Sequence, residues 1–321
     1  MVSHHPLSLM GEMYRSICTA IMFSKAERPP RTILVTSSQP NEGKTVTAIN
    51  VAIMLAQSGG PVLLIDADLH GGRCHNLLGL ENGNGLSNIL AGTEDPTRLL
   101  RKPRVKNLSL LSRGTLPPNP AALLGSDKMR RTLDRLAGEF RFIVLDSAPL
   151  LPVSDTVLLS TMIDGAILVA RAHEVPGEVV RRARDRLNLV DAKILGVVLN
   201  GIDITSAEYA QYRQVYRSYY TNYGQVLGED STDGPSNEID EKRTPAKLLD
   251  SIIATLTGFI GPIASVIVSQ KINALGETPD AFPQSRIEEL IESVAQEILD
   301  TRSKLSFREQ CSDFLRSAEL S

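Results

Sequence analysis

Residues 32–46 read Thr-Ile-Leu-Val-Thr-Ser-Ser-Gln-Pro-Asn-Glu-Gly-Lys-Thr-Val, and apolar residues continue at Ile49, Val51, Ile53 and Leu55. A short apolar strand, a polar loop ending in Gly-Lys-Thr and a helical pattern, in that order, form the context in which backbone N–H groups cradle phosphates. In such a loop Asn41, Glu42, Gly43, Lys44, Thr45 and Val46 surround the phosphates. Lys44 reaches the β and γ oxygens, and the Thr45 hydroxyl sits on Mg²⁺. The usual first glycine is Ser38 here. Nucleotide binding is expected, against the plain alternative of a surface turn with a chance Gly-Lys-Thr.

Outward from this loop, residues 61–65, 108–111, 141–145, 166–170 and 194–199 are further continuous apolar runs. Strands apolar on both faces belong to a sheet covered on both sides, and the helical patterns between them supply right-handed crossovers. The predicted fold is α/β: a P-loop NTPase domain with a mostly parallel sheet, covered by helices on both faces, plus a small all-α C-terminal module. The run 61–65 leads into Asp66-Ala67-Asp68 and the run 141–145 into Asp146. In an open parallel sheet the ligand crevice lies outside the carboxyl ends of the strands. Three carboxylates are therefore expected beside Gly-Lys-Thr, where Mg²⁺ needs hard oxygen ligands. Singly, each could serve only as a turn or helix cap.

The 321-residue chain carries a net charge of -3 with 42% hydrophobic residues, which gives no electrostatic footprint for coating nucleic acid. Cys18, Cys74 and Cys311 are far apart and match no ligand spacing, so neither a disulfide framework nor a zinc site is expected. A reducing cytoplasm follows, and the N-terminus lacks the order of an export signal. Residues 251–270 are uncharged and long enough to cross a bilayer, but Gly258, Gly261 and Pro262 predict two short core helices instead. Domain organisation reads as 1–223, an acidic flexible linker at 224–244, and a helical module at 245–321. The linker carries Glu229, Asp230, Asp233, Glu238, Asp240 and Glu241 against Lys242 and Arg243, with few apolar residues to bury. In the module, Ile287, Leu290, Ile291, Val294, Ile298 and Leu299 recur at helical spacing.

Of seven tyrosines, six fall together: Tyr209, Tyr212, Tyr216, Tyr219, Tyr220 and Tyr223. A helical stripe packed on the core would explain some of this spacing. However, the interleaved residues are polar, and Tyr219 and Tyr220 point to different faces. A segment running into a linker suits phosphorylation, because it can enter an active site extended.

With these motifs together, the span from Gly11 to Tyr223 resembles the bacterial tyrosine kinases of the polysaccharide co-polymerase type. The matching elements are Pro40-Asn41-Glu42-Gly43-Lys44-Thr45, Asp66-Ala67-Asp68, Asp146 and the tyrosine cluster. The resemblance implies ATP- and Mg²⁺-dependent autophosphorylation of the cluster, mostly between subunits, and control of capsule or exopolysaccharide export. It implies that Asp66 takes the tyrosine proton, that Thr45, Asp68 and Asp146 serve Mg²⁺, that Lys44 clamps phosphate, and that Asn200 lies near the adenine. Implied partners are a transmembrane activator of a polysaccharide export system and a cognate tyrosine phosphatase, with no nucleic acid. A cytoplasmic protein recruited to the inner face of the membrane is the corresponding location. Residues near Glu12 and Arg15 are the expected self-association surface, although Cys18 stands where the family's Glu-x-x-Arg-x-x-Arg motif has its second arginine. Asn41 replaces a glycine, a change that left-handed backbone tolerates. The C-terminal module more weakly resembles small helical modules of bacterial signalling proteins. The alternative is a partitioning or septum-positioning ATPase switch on the same fold, disfavoured because Gln39 occupies the place of that group's signature lysine.

Overall fold

A computed structural model describes residues 9–24, 28–92, 94–202, 245–279, 282–298 and 301–319. The tyrosine cluster, the linker and the expected boundary at residue 223 lie outside them. The described chain forms two compact units, one of Met13–Asn200 with Ser265–Gln270, the other holding the remainder.

The first unit is built on six parallel strands: β1 (Thr32–Ser37), β2 (Val62–Asp66), β3 (Leu108–Leu111), β4 (Phe142–Asp146), β5 (Gly165–Arg171) and β6 (Ile194–Asn200). Their order is β3-β2-β4-β1-β5-β6. The helices in this part of the chain are α1 (Leu9–Met22), α2 (Lys44–Gln57), α3 (Cys74–Leu77), α4 (Leu86–Ala91), α5 (Pro120–Leu124), α6 (Asp127–Glu139), α7 (Asp155–Ser160) and α8 (Gly177–Asn188). β1, β2 and β4 are buried at every position, as continuous Val, Ile and Leu runs require when helices cover both faces. Ile33, Leu34, Leu63, Leu64, Val144 and Leu145 are sealed from solvent. α2 is apolar almost all round, and eleven of its residues, from Thr45 to Ala56, are buried.

One expectation fails at the sheet edge. The run 194–199 reads as a strand covered on both sides, yet Val197 is 58% and Leu199 52% exposed. β6 is terminal in the strand order, so among the described residues β5 alone pairs with it.

The entry into the sheet is fixed by one side chain. Asp164 Oδ2 accepts hydrogen bonds from the N–H of Arg31 (2.8 Å), the N–H of Thr32 (3.0 Å) and the Thr32 hydroxyl (3.2 Å). It thereby aligns the starts of β1 and β5, which pair from Ile33 and Gly165 onward.

The C-terminal region is helical: α9 (Pro245–Ile260), a 3₁₀ turn at Gly261–Ile263, α10 (Ala264–Ala274), α11 (Ile287–Ala295) and α12 (Thr301–Glu319). The break falls at the expected glycine and proline, with Gly261 at φ +79°, a left-handed conformation. By length and composition alone, Leu248–Ala274 is the one helical stretch among the described residues apolar enough to cross a membrane, and 56% of its apolar window is buried. Leu290, Val294 and Phe307 are buried on α11 and α12, and Phe259 meets Phe307 edge to face at 5.9 Å.

Asp164→Ala removes the shared acceptor and leaves partly buried donors unpaired, which is expected to cost about 1–3 kcal/mol. Urea unfolding of the two proteins measures it, as a lowered midpoint at unchanged slope.

Candidate active site

The strand register builds the site. Asp66 and Asp146 end neighbouring parallel strands and are direct register partners, and Asp146 also pairs across with Val35 of β1. Two carboxylates thus lie side by side at the carboxyl edge of the sheet, next to the loop that leaves β1. Both residues are fully buried, and Oδ1 of each has no hydrogen-bond partner.

The loop after β1 is shaped from within. Ser38, at the place of the missing glycine, is buried, and its hydroxyl donates to Glu42 Oε1 at 2.5 Å. The same oxygen accepts from the N–H of Gln39 at 2.5 Å, and Glu42 Oε2 accepts from the N–H of Arg171 at 3.3 Å. The Glu42 carboxylate is therefore committed to the protein and holds the loop against the end of β5. Asn41 (φ +66°) and Gly43 (φ +92°) both adopt left-handed backbone, which an asparagine tolerates and a glycine favours. Asn200 Nδ2 donates to the Glu42 carbonyl at 3.0 Å, and a Cβ on Gly43 would meet that nitrogen at 2.0 Å. Asn200 thus braces the loop.

No side chain caps the N-terminus of α2. Its first-turn N–H groups remain available to an anion, reinforced by the helix dipole. Lys44 Nζ sits 3.1 Å from Asp68 Oδ2. Burial alone would depress the Lys44 ammonium, but the charges of Asp146 and Asp68 outweigh it and raise its pKa above the ordinary lysine range. Burial and then the neighbouring Asp146 charge push Asp66 well above the usual carboxylate range. Burial likewise raises Asp146, to about 6, with Lys44 and the Thr45 hydroxyl opposing.

Several contributors carried no signal in the sequence. Gly72 lets the segment after Asp68 fold back over the site, since a Cβ there would meet Asp66 Oδ1 at 2.0 Å and the Asp68 carbonyl at 2.6 Å. His70 Nε2 lies 2.7 Å from Asp155 Oδ2, tying this segment to α7. Cys74, which matches no ligand spacing in the sequence, is fully buried with its Sγ 3.4 Å from Asp146 Oδ2. Cys18 is buried on α1, with its thiol 3.8 Å from the Val51 carbonyl, and burial pushes it up to about 12. Arg15 is exposed on the same helix.

A parallel sheet whose first strand feeds an uncapped helix through Gly-Lys-Thr, with paired aspartates at the adjacent strand ends, defines a P-loop NTPase. Residues 29–227 match the ParA family, described as NUBPL iron-transfer P-loop NTPase, and the chain belongs to it. Within that broad class it belongs to the bacterial tyrosine-protein kinases. It is 35% identical over 208 residues to the tyrosine-protein kinase YwqD of Bacillus subtilis, covering 64% of this chain and 88% of the relative. It is 32% identical to the putative tyrosine-protein kinase CapB of Staphylococcus aureus, covering 70% and 94%. Among solved structures, the kinase domain of the Escherichia coli tyrosine kinase ETK superposes with a TM-score of 0.58 at 32% identity, over 60% of this chain and 75% of that one. These relatives favour the kinase over the partition-type switch. Residues 247–320 match a domain of unknown function, DUF8082.

Two expectations follow from this geometry. Gly72→Ala, which forces its new Cβ into Asp66, is expected to destabilise the protein by about 1–3 kcal/mol, read as a lowered melting temperature, and to reduce phosphoryl transfer. Asp146→Asn is expected to stabilise the nucleotide-free protein at pH 7 by on the order of 2 kcal/mol. The sign follows from the native state holding this proton more tightly than the unfolded chain, whose carboxyl titrates near 3.8. Wild-type stability is therefore lost as pH rises from about 4 to about 6. Urea midpoints of both proteins across that range should coincide near pH 4 and diverge above it.

Proposed function

We propose that this chain is an ATP- and Mg²⁺-dependent tyrosine autokinase whose acceptors are Tyr209, Tyr212, Tyr216, Tyr219, Tyr220 and Tyr223. The observation that carries the reading is the register-paired Asp66 and Asp146 facing the uncapped start of α2 and Lys44. The unpartnered Oδ1 of buried Asp146, together with Thr45 and Asp68, forms an all-oxygen donor set that suits Mg²⁺, while the unpartnered Oδ1 of Asp66 is left to accept a proton. When bound there, Mg²⁺ supplies charge neutralisation at the phosphates.

The protein's own part is positioning and electrostatics. First-turn N–H groups of α2 hold the phosphate oxygens, and Lys44 neutralises charge on the transferring group. The phenolic oxygen of an acceptor tyrosine forms a bond to the γ-phosphorus as the bond from that phosphorus to the ADP oxygen breaks. The phenolic proton passes to the Asp66 carboxylate. Asp68 keeps Lys44 oriented through their 3.1 Å ion pair.

YwqD and CapB carry the names of tyrosine-protein kinases, and a further relative is named as a putative kinase of the cps region of Klebsiella pneumoniae. On that basis we assign the chain to control of capsule or exopolysaccharide synthesis. It would act on the cytoplasmic side, where ATP is available, with a transmembrane activator and a cognate phosphatase as partners. Self-association would use the surface near Glu12 and Arg15.

Incubation of the purified chain with MgATP, followed by phosphopeptide mass spectrometry, tests this. Phosphate is expected on residues 209–223 in the wild type and at least a hundredfold less in Lys44→Ala, in line with the loss of an electrostatic contact to the transition state. A variant with all six clustered tyrosines changed to Phe should bind nucleotide and carry no phosphotyrosine. Absence of phosphotyrosine in the wild type, with and without the candidate activator, would overturn the reading.

A further inference from the structure

The thiol of Cys74 has no part in the chemistry above, yet it lies within the carboxylate pair. Its Sγ is 3.4 Å from Asp146 Oδ2, and its backbone N–H donates to Asp66 Oδ2 at 3.0 Å. One ligand atom from each of Asp66, Cys74 and Asp146 lies within 4.8 Å of the others, and all three residues are buried. Oδ1 of both aspartates is without a hydrogen-bond partner.

The Cys74–Asp146 separation suits a small tetrahedral ion. With metal–oxygen bonds of about 2.1 Å and metal–sulfur bonds of about 2.3 Å, a tetrahedral oxygen–sulfur edge is about 3.6 Å, close to the separation already present. Donor chemistry then selects among cations: Mg²⁺ is bound through oxygen, whereas ions of the zinc class take cysteine sulfur readily. Electrostatics favours the same class, because ionising both buried carboxylates, held together by strand register, sets them in repulsion while Lys44 is engaged with Asp68. A divalent cation between the carboxylates relieves that repulsion.

We propose that Asp66, Cys74 and Asp146 form a three-ligand site for a thiophilic divalent cation of the zinc class. Binding forms a metal–sulfur bond and metal–oxygen bonds as the thiol and the protonated Asp66 carboxyl release their protons to solvent, with no change in oxidation state. Three protein ligands leave the fourth position to water. Such an ion ties up both carboxylates that phosphoryl transfer needs, so the site is inhibitory where the kinase reading holds. The metal site itself does not depend on that reading.

The test uses Co²⁺ as a spectroscopic probe on the full chain, without nucleotide or Mg²⁺ and with a reductant that carries no thiol. A thiolate-to-cobalt charge-transfer band is expected, saturating at a single equivalent and bleached by Zn²⁺. Cys74→Ser should weaken cobalt binding at least tenfold and remove the band, whereas Cys18→Ser and Cys311→Ser should retain it. No band in the wild type, or a band that survives Cys74→Ser, overturns the site. Should Cys74→Ser fail to fold, X-ray absorption on zinc-loaded wild type decides the matter: a sulfur shell near about 2.3 Å supports the site, and a shell of nitrogen and oxygen alone overturns it. Tyrosine phosphorylation that continues unchanged in zinc-saturated wild type would overturn the inhibitory consequence alone. A cobalt band in a protein without phosphotyrosine would leave the site standing while the kinase reading fell.

Discussion

Everything at the carboxyl edge of the sheet depends on the pairing of β2 with β4, because their register places Asp66 beside Asp146. Neighbouring strands lie about 4.8 Å apart, so two carboxylates at paired positions interact strongly once water is excluded. Burial raises both pKa values, and their mutual repulsion adds to it for Asp66. The fold tolerates this arrangement because the surrounding core is large and apolar: β1, β2 and β4 are buried along their whole length. Stability supplied by the strands is thus spent locally on an unfavourable cluster, as is common where a site must be ready for charge.

The loop ahead of α2 solves a different problem, that of leaving N–H groups unpaired without letting the backbone collapse onto them. Glu42 supplies the answer by turning its carboxylate inward, where it accepts from Ser38, Gln39 and Arg171. Asn200 adds a second brace from the end of β6. With the loop held from β5 and β6, the outward N–H groups need no side-chain cap, and α2 has none. Rigidity here is a matter of geometry rather than of individual bond strength, since a small displacement of such donors costs much of their electrostatic value.

The fold was legible in the sequence because parallel strands buried on both faces read as continuous apolar runs, and all six runs became strands. The break at Gly261-Pro262 was legible for an equally local reason, the conformational preferences of those two residues. The edge status of β6 was not, because burial on both faces depends on strand order, and Val197 and Leu199 look like any other core residue in a run. At the site, Lys44, Thr45 and the three aspartates stood out by their position after strands. Ser38 looked like a lost glycine, and its pairing with Glu42 four residues on is visible only in three dimensions. Cys74 and Gly72 were silent for the same reason. Their roles come from a chain reversal after Asp68 that brings Gly72 against Asp66 and Cys74 against Asp146.

That reversal bears on how the proposed proton acceptor, Asp66, is kept in reserve. In the nucleotide-free chain, burial and Asp146 favour the protonated form of Asp66, which cannot accept a proton from a tyrosine. Lys44 opposes this only weakly because its nearest partner is Asp68. Positive charge brought into the crevice lowers the pKa of both aspartates together, since each is raised partly by a neighbouring carboxylate. By linkage, whatever favours ionised Asp66 also favours the occupied crevice, so under the proposed function the base forms most readily when the phosphates are already in place. A site built from paired carboxylates can therefore couple loading to ionisation of the proposed base without any moving part, through the electrostatics of two neighbouring strand ends.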